Sequence, residues 1–337
     1  MGAVTRPSAV GRLLHEALLY RDADTLLARV SAFVSEGIRG DEPVLVAAAG
    51  PSLSLLRDGL DGAAGLDGVA GLGGAAGLGG AAGLDGAAAG VRFVDLGDAG
   101  RNPGRIIPFV FQAFVAEHPG RPTRVVGEPV WPGRTPEEYG ACVQHEALIN
   151  SALSNIVGTI LCLYDAEHLP PAALIDAGRT HPVIVDGNDR RPSLAYAAQV
   201  AEAARGEPLP PPTGAVAQFE FDMRGLGQLR RFAADAATGA GLDADRVDDL
   251  LLAVNELAAN TVQYAGGSGI LRTWCTERDL VCEIHDSGQI TDPLAGTLTP
   301  APESPHGRGL VIVNHLCDLV RIHTSEDSTT IRIYFRL

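Results

Sequence analysis

Apolar residues in the first two thirds of the chain fall into short runs separated by amphipathic stretches. In Ala23–Gly37, Leu26, Leu27, Val30, Phe33 and Val34 recur at helical spacing and share one face. Pro43 then precedes Val44–Ala49, an unbroken apolar run of the kind that forms a strand buried on both faces. Val91–Leu96, Arg124–Val126 and Thr159–Leu163 repeat that pattern, with helical spacing over Pro108–Glu117 and Pro136–Leu153 between them. Strands alternating with helices predict an α/β domain with a mainly parallel sheet over residues 10–205.

From residue 215 the order of elements changes. A strand over Ala217–Phe221 is followed by two helices, Leu226–Ala237 and Ala244–Tyr264. Strands Gly269–Thr276 and Leu280–Asp286 come next, then a Gly/Pro-rich loop over Ser287–Pro305. A helix over Gly309–Cys317 leads to the closing strands Leu319–Thr324 and Thr329–Arg336. Strands paired through short turns predict a mixed, mostly antiparallel sheet with helices on one face, a two-layer α/β sandwich over 215–337. Between the two blocks lies GEPLPPPTG, Gly206 to Gly214. Three successive prolines neither continue a helix nor enter a central strand, so 206–214 reads as an interdomain linker. Within the first block, Gly59–Ala88 is five consecutive hexapeptides of the GLDGAA type. The run is too short and too Gly-rich for a β-helix and reads as a flexible surface insertion.

Composition narrows the chemistry. The formal net charge is −15, and every one of the 26 Lys+Arg positions is Arg. An acidic surface repels phosphates, which argues against direct nucleic-acid binding. Without lysine no Walker-type loop can exist, so any nucleotide site must use another design. No apolar run reaches the roughly 18–20 residues of a membrane span, and Met1–Val10 lacks a signal-peptide pattern. The five cysteines, Cys142, Cys162, Cys275, Cys282 and Cys317, form no CxxC pair and are expected to be reduced and buried. A cytoplasmic protein with no membrane association is expected.

Three segments of the second block carry candidate chemistry. Glu256 and Asn260 are four apart in Asn255–Asn260 and so share one helix face. Leu251, Leu252, Val254 and Leu257 are expected to supply apolar surface there. A carboxylate and an amide can hold Mg²⁺ and orient a proton-bearing nucleophile; a solvated polar face has the same pattern. The strand Leu280–Ile284 runs into His285-Asp286-Ser287-Gly288, where a carboxylate can accept from an exocyclic amine and Gly288 permits close approach. A tight turn without ligand reads the same way. Gly307-Arg308-Gly309-Leu310 opens a helix whose first N–H groups can bind phosphate without lysine, or is a glycine turn before an ordinary helix.

In order and spacing, ELAANTVQYA, DSG and HGRGL resemble the N box and the two glycine boxes of the Bergerat-type ATPase family. That family includes histidine-kinase catalytic domains, gyrase and anti-sigma-factor kinases. DLVRIHTSEDSTTIRIYF resembles the family's final hairpin. The resemblance implies that Asn260 coordinates Mg²⁺, that Glu256 polarises the attacking group and that Asp286 reads adenine. It implies ATP lined by Gly288, Gly307, Arg308, Gly309 and Leu310. Ile290 departs from the pattern, which commonly has a second glycine there.

In the first block, His15–Tyr20, GEPVWPG (Gly127–Gly133), HEALIN (His145–Asn150), Leu161–Asp165 and Arg179–Pro182 resemble the MEDS sensory domain, named for methanogen and methylotroph regulators. His15 and His145 each begin a HEAL tetrapeptide. A zinc-protease helix needs a second histidine four residues on, and Leu19 and Ile149 stand there. Buried structural roles are therefore expected for His15, His145, Cys142 and Cys162 rather than cofactor binding.

Together the resemblances imply an anti-sigma regulatory factor. Its ATPase domain is expected to sequester a sigma factor and to phosphorylate a serine or threonine of an anti-sigma antagonist with Mg-ATP, and to pair as a homodimer. One alternative is a non-catalytic ATP-binding module that only sequesters its partner. A sensor histidine kinase is a further alternative, but the Pro-rich linker stands where that class carries its paired dimerisation helices.

Overall fold

The computed structural model describes residues 13–64, 90–300 and 307–337. The chain divides into two compact units, each built around its own sheet. The fold is mixed α/β, with one parallel-rich sheet and one antiparallel sheet.

Unit one comprises Met1–Asp98, Phe111–Gly133 and Ile149–Ala197. In chain order its elements are β1 (Leu13–Tyr20), α1 (Ala23–Arg39), β2 (Val44–Ala48), α2 (Gly50–Ala64), β3 (Val91–Asp95) and the short α3 (Leu96–Ala99). There follow α4 (Gln112–Ala116), β4 (Thr123–Gly127), the end of α5 (Pro136–Ala152), β5 (Gly158–Asp165), α6 (Pro171–Thr180), β6 (Val183–Asp186) and β7 (Asp189–Pro192). The sheet order is β3-β2-β4-β5-β1-β6-β7, parallel throughout except for the β6–β7 hairpin. Helix α1 starts where the Asp22 side chain accepts from the Thr25 amide at 2.6 Å, and it buries Leu26, Val30 and Val34. All five residues of β2 are buried, as its continuous apolar run requires.

Two expectations change here. Strand β1 has no counterpart in the pattern reading. LLHEALLY lacks any β-branched residue and is rich in helix formers. It is a strand because β5 and β6 flank it on both sides. The first hexapeptide, residues 59–64, is not loop but the last part of α2. Leu53, Leu56 and Leu60 recur at helical spacing and are buried. Gly59 lets α2 approach α1, since a Cβ there would lie 2.2 Å from Leu27 Cδ1. The other repeats lie outside the described residues.

At the C-terminal ends of β1, β2 and β4 sits Glu128, 1% exposed. Its carboxylate accepts from the Ala49 amide at 3.0 Å and from Ser52 Oγ at 2.8 Å, and the Tyr20 hydroxyl lies 3.4 Å away. Burial pushes this carboxyl up to about 7, against the pull of those donors. The folded state therefore holds a proton that the unfolded chain releases near the ordinary carboxyl value. This contribution to stability is complete below about pH 4.3 and is lost as pH rises through about 7. Glu128→Gln removes the titration. The stability of wild type relative to Glu128→Gln is expected to fall by roughly 3–4 kcal/mol between pH 4 and pH 8. Parallel pH profiles in urea denaturation would contradict the assignment.

Unit two comprises Ala99–Val110, Arg134–Leu148 and Ala198–Leu337. Its main elements are α7 (Val200–Gly206), β8 (Ala217–Asp222), α8 (Leu226–Ala240), α9 (Ala244–Tyr264), β9 (Ser268–Cys275), β10 (Asp279–Asp286), α10 (Gly309–Leu316), β11 (Leu319–Thr324) and β12 (Thr329–Arg336). The sheet order is β11-β12-β10-β9-β8, and every pair is antiparallel, not mixed as the pattern predicts. Along β10, Leu280, Cys282 and Ile284 face the helices and join a core with Leu229, Leu250, Val254 and Leu257. Val281 faces the other way and packs with Trp274, Leu319, Tyr334 and Ala141 of α5.

Helix α10 is held at its C-terminal end by residues 102–105. Asn102 Nδ2 donates to Asn314 O at 2.9 Å. Arg105 donates to Asn314 O at 3.0 Å and to Cys317 O at 3.1 Å, taking carbonyls that the helix itself leaves unpaired. Among the described residues no helix is long and apolar enough to cross a membrane. Four cysteines are buried, but Cys275, at the end of β9, is exposed, contrary to expectation.

Candidate nucleotide site

Helix α9 supplies the first part of the site. Asp243 caps it by accepting from the Arg246 amide at 2.9 Å, and Leu250, Ala253, Val254, Leu257, Ala258 and Thr261 face the core. Leu251 packs against that core, whereas Leu252 is 45% exposed and adds nothing to it, contrary to the reading of the helix face. The face carrying Glu256 and Asn260 is partly buried and meets the start of α10. A Cβ at Gly309 would lie 3.0 Å from Glu256 Oε2 and 3.3 Å from Asn260 Nδ2. A side chain there would fill the space between the helix start and these two polar groups. The side chain of Arg308, which precedes α10, makes no capping hydrogen bond to the first amides of the helix.

Asp286 is held from α9 as well. Its Oδ2 accepts from Thr261 Oγ1 at 2.7 Å, and its Oδ1 accepts from the Gly288 amide at 2.9 Å. Each carboxylate oxygen keeps a second lone pair for another donor. Gly288 lies against α9, where a Cβ would meet the Ala265 Cβ at 2.6 Å, and its carbonyl accepts from Thr329 Oγ1 at 2.9 Å. Gly307 adopts φ +92°, a conformation that favours glycine, and both Gly307 and Arg308 are exposed. Leu310 packs against the core and lies close to Gly296. Ile290 also packs against the core, and its amide donates to Thr324 Oγ1 at 3.2 Å.

The structure thus brings Glu256, Asn260 and Gly309 together at one end of α9, and Asp286 and Gly288 together one turn further along it. A depression of about 840 Å³ on the β8–β9 side shares only Asp286 with the expected set. Several positioning residues escape the pattern reading. Thr261 follows Asn260 in the N-box segment and orients Asp286. Arg205 holds the segment after the first glycine box by donating to Asp292 O at 2.9 Å and Ala295 O at 3.1 Å, and Asn314 Nδ2 donates to Gly296 O at 3.0 Å. Only Thr261 carries a local sequence signal; the others are joined by tertiary packing alone. Residues 301–306, within the expected Gly/Pro-rich loop, lie outside the described residues.

Residues 219–335 match the model of the histidine kinase-like ATPase domain, which implies nucleotide binding by unit two. No curated protein matches the chain. Among solved structures, the RsbU and RsbW domains of Rv1364c from Mycobacterium tuberculosis align at 17% identity with a TM-score of 0.29, over 37% of this chain and 33% of that one. The Acinetobacter baumannii histidine kinase AdeS aligns at 13% identity with a TM-score of 0.22, over 36% of this chain and 67% of that one. The chain therefore spans about a third of the first of these, and neither score supports reasoning from the neighbour. The model of the MEthanogen/methylotroph, DcmR Sensory domain matches residues 14–182, half of the 337 residues, and the chain belongs to this MEDS family.

Proposed function

We propose that residues 215–337 bind Mg-ATP and transfer its γ-phosphoryl group to a serine or threonine of an anti-sigma antagonist. We further propose that the same domain sequesters a sigma factor. In this reading residues 10–205 are the sensory domain and 206–214 the stiff joint between them. The observation that carries the reading is the meeting of Glu256 and Asn260 with the side-chain-free start of α10 at Gly309. Asn260 offers an amide oxygen to Mg²⁺, an ion that favours oxygen ligands and would neutralise phosphate charge. Glu256 orients the attacking hydroxyl and takes its proton as the new P–O bond forms and ADP departs. The first amides of α10 receive phosphate oxygens, which supplies in backbone what a lysine supplies elsewhere. Asp286 accepts from the adenine amine.

A histidine kinase reading is disfavoured by what precedes β8. Helix α7 is only seven residues long, and no helix lies between it and β8 among the described residues. The test is transfer from labelled Mg-ATP to a candidate antagonist by the full chain. Acid-stable phosphoserine or phosphothreonine is expected on the antagonist, with Glu256→Ala slowing transfer at least about 100-fold. Tight nucleotide binding without transfer points instead to a sequestering module, and acid-labile phosphate on the chain itself to a histidine kinase.

A further inference from the structure

Unit one contains a polar cluster in its core that the nucleotide chemistry does not use. His15 on β1 is 1% exposed, and Cys162 on β5 and His181 are both fully buried. The register pairs Ala17 with Cys162 and His15 with Ile160, so His15 and Cys162 are diagonal neighbours on one face of the sheet. His15 Nε2 lies 3.4 Å from Cys162 Sγ. His181 ends α6 and leads into β6, the other neighbour of β1, and its ring centroid lies 4.0 Å from that of His15. One donor atom from each of the three side chains lies within 4.8 Å of the others.

We propose that His15, Cys162 and His181 bind a borderline divalent transition metal of the zinc class. Two imidazoles with one thiolate suit such an ion, whereas magnesium and calcium prefer oxygen. Zinc–nitrogen bonds of about 2.0–2.1 Å and zinc–sulfur bonds of about 2.3 Å, at a tetrahedral angle, separate nitrogen from sulfur by roughly 3.5 Å. The His15–Cys162 distance already matches that value. His181 is positioned by its own helix: its Nδ1 lies 2.9 Å from the Ala177 carbonyl, which can only accept and so favours the Nδ1-protonated tautomer that nitrogen-bound metal sites use. Three protein donors suffice in sites that keep a fourth position for another ligand. Binding converts the Cys162 thiol to thiolate and releases its proton to solvent. The second histidine comes from residue 181, across the sheet, and not from helical spacing. HEAL at His15 lies on a strand, so a residue four positions on could not have served.

The ion would tie β5, β1 and the entry to β6 together. The experiment is metal analysis of the full chain purified without chelator, followed by replacement with Co²⁺. About one zinc per chain is expected, and the cobalt form should show a sulfur-to-cobalt charge-transfer band with tetrahedral d–d absorption. Cys162→Ala should abolish the charge-transfer band. His181→Gln should weaken zinc binding by at least the roughly 10–100-fold typical of lost supporting contacts. Cys282→Ala, a buried thiol of unit two, should change neither. Zinc well below one per chain with no cobalt band overturns the proposal, as does a charge-transfer band that survives in Cys162→Ala. If the Cys162 variant does not fold, zinc-edge X-ray absorption of the wild type decides. One sulfur in the first shell supports the site; none, or several, overturns it.

Discussion

Replacing Asn260 with alanine is expected to remove the magnesium-dependent part of ATP binding and to leave the magnesium-free part nearly intact. The amide sits on the partly buried face of α9 beside Gly309, one turn after Glu256. Loss of a ligand from an ion that bridges protein and phosphates should weaken Mg-ATP binding by about 10–100-fold, or roughly 1.4–2.8 kcal/mol. On the proposed reading the amides of α10 and Asp286 would still hold the nucleotide without Mg²⁺, so the variant should match wild type there. A fluorescent ATP analogue titrated with and without Mg²⁺ reads both quantities. Equal losses under the two conditions would mean that Asn260 contacts the nucleotide or supports the fold rather than the metal. Gly309→Ala approaches the same point sterically: its methyl would stand 3.0 Å from Glu256 Oε2 and compete with a phosphate for that space.

The largest stability effect is expected at Glu283. On the sheet face away from the helices it stands opposite Arg332 of β12 and Arg272 of β9. Arg332 donates to Glu283 Oε2 at 2.9 and 2.6 Å, and Arg272 to Oε1 at 3.3 Å. Glu283 and Arg332 are 3% and 4% exposed, and the Arg332 guanidinium lies 4.9 Å from the centre of the Trp274 ring. Arg321, opposite Arg332 on β11, adds a like charge on the same row. Glu283→Ala leaves a buried guanidinium beside another with no carboxylate between them, at an expected cost of about 3–5 kcal/mol. Arg332→Met should also destabilise, but by less, because Arg272 still pairs with Glu283 Oε1. The double variant should cost clearly less than the sum, because neither charge is then left alone. Additive losses in urea unfolding would show that the pair acts as packing rather than as coupled charges.

The elements of residues 215–337 were largely legible in the sequence. Helix Ala244–Tyr264 and strands Leu319–Thr324 and Thr329–Arg336 have the expected limits. Their apolar periodicity is strong and their ends carry turn residues, so local and tertiary preferences agree. The segments around Asn260, Asp286 and Gly309 stood out through the order and spacing of their motifs, and the structure places Glu256 and Asn260 beside Gly309 and Asp286 beside Gly288. Unit one was legible only in part. Its buried strands announce themselves as apolar runs, but β1 does not, because LLHEALLY interrupts its run with His15 and Glu16. Those polar residues are tolerated through partners far along the chain: Glu16 accepts from Arg190 Nε at 3.2 Å, and His15 lies against Cys162. Asn102, Arg105 and Arg205 were invisible for the same reason, since their partners are carbonyls more than 80 residues away.

The placement of β1 has a consequence for how unit one is made. Strand β1 is made long before either of its neighbours, since β5 begins at residue 158 and β6 at residue 183. Until then β1 has no partner on either edge. Vectorial synthesis lets β3, β2 and β4 pair first, whereas β1 must wait for the closure of a loop of about 145 residues, which carries an entropic cost before its pairing is rewarded. The nascent strand spends that interval as an apolar segment open to wrong partners, which is where a chaperone acting on this chain has most to protect.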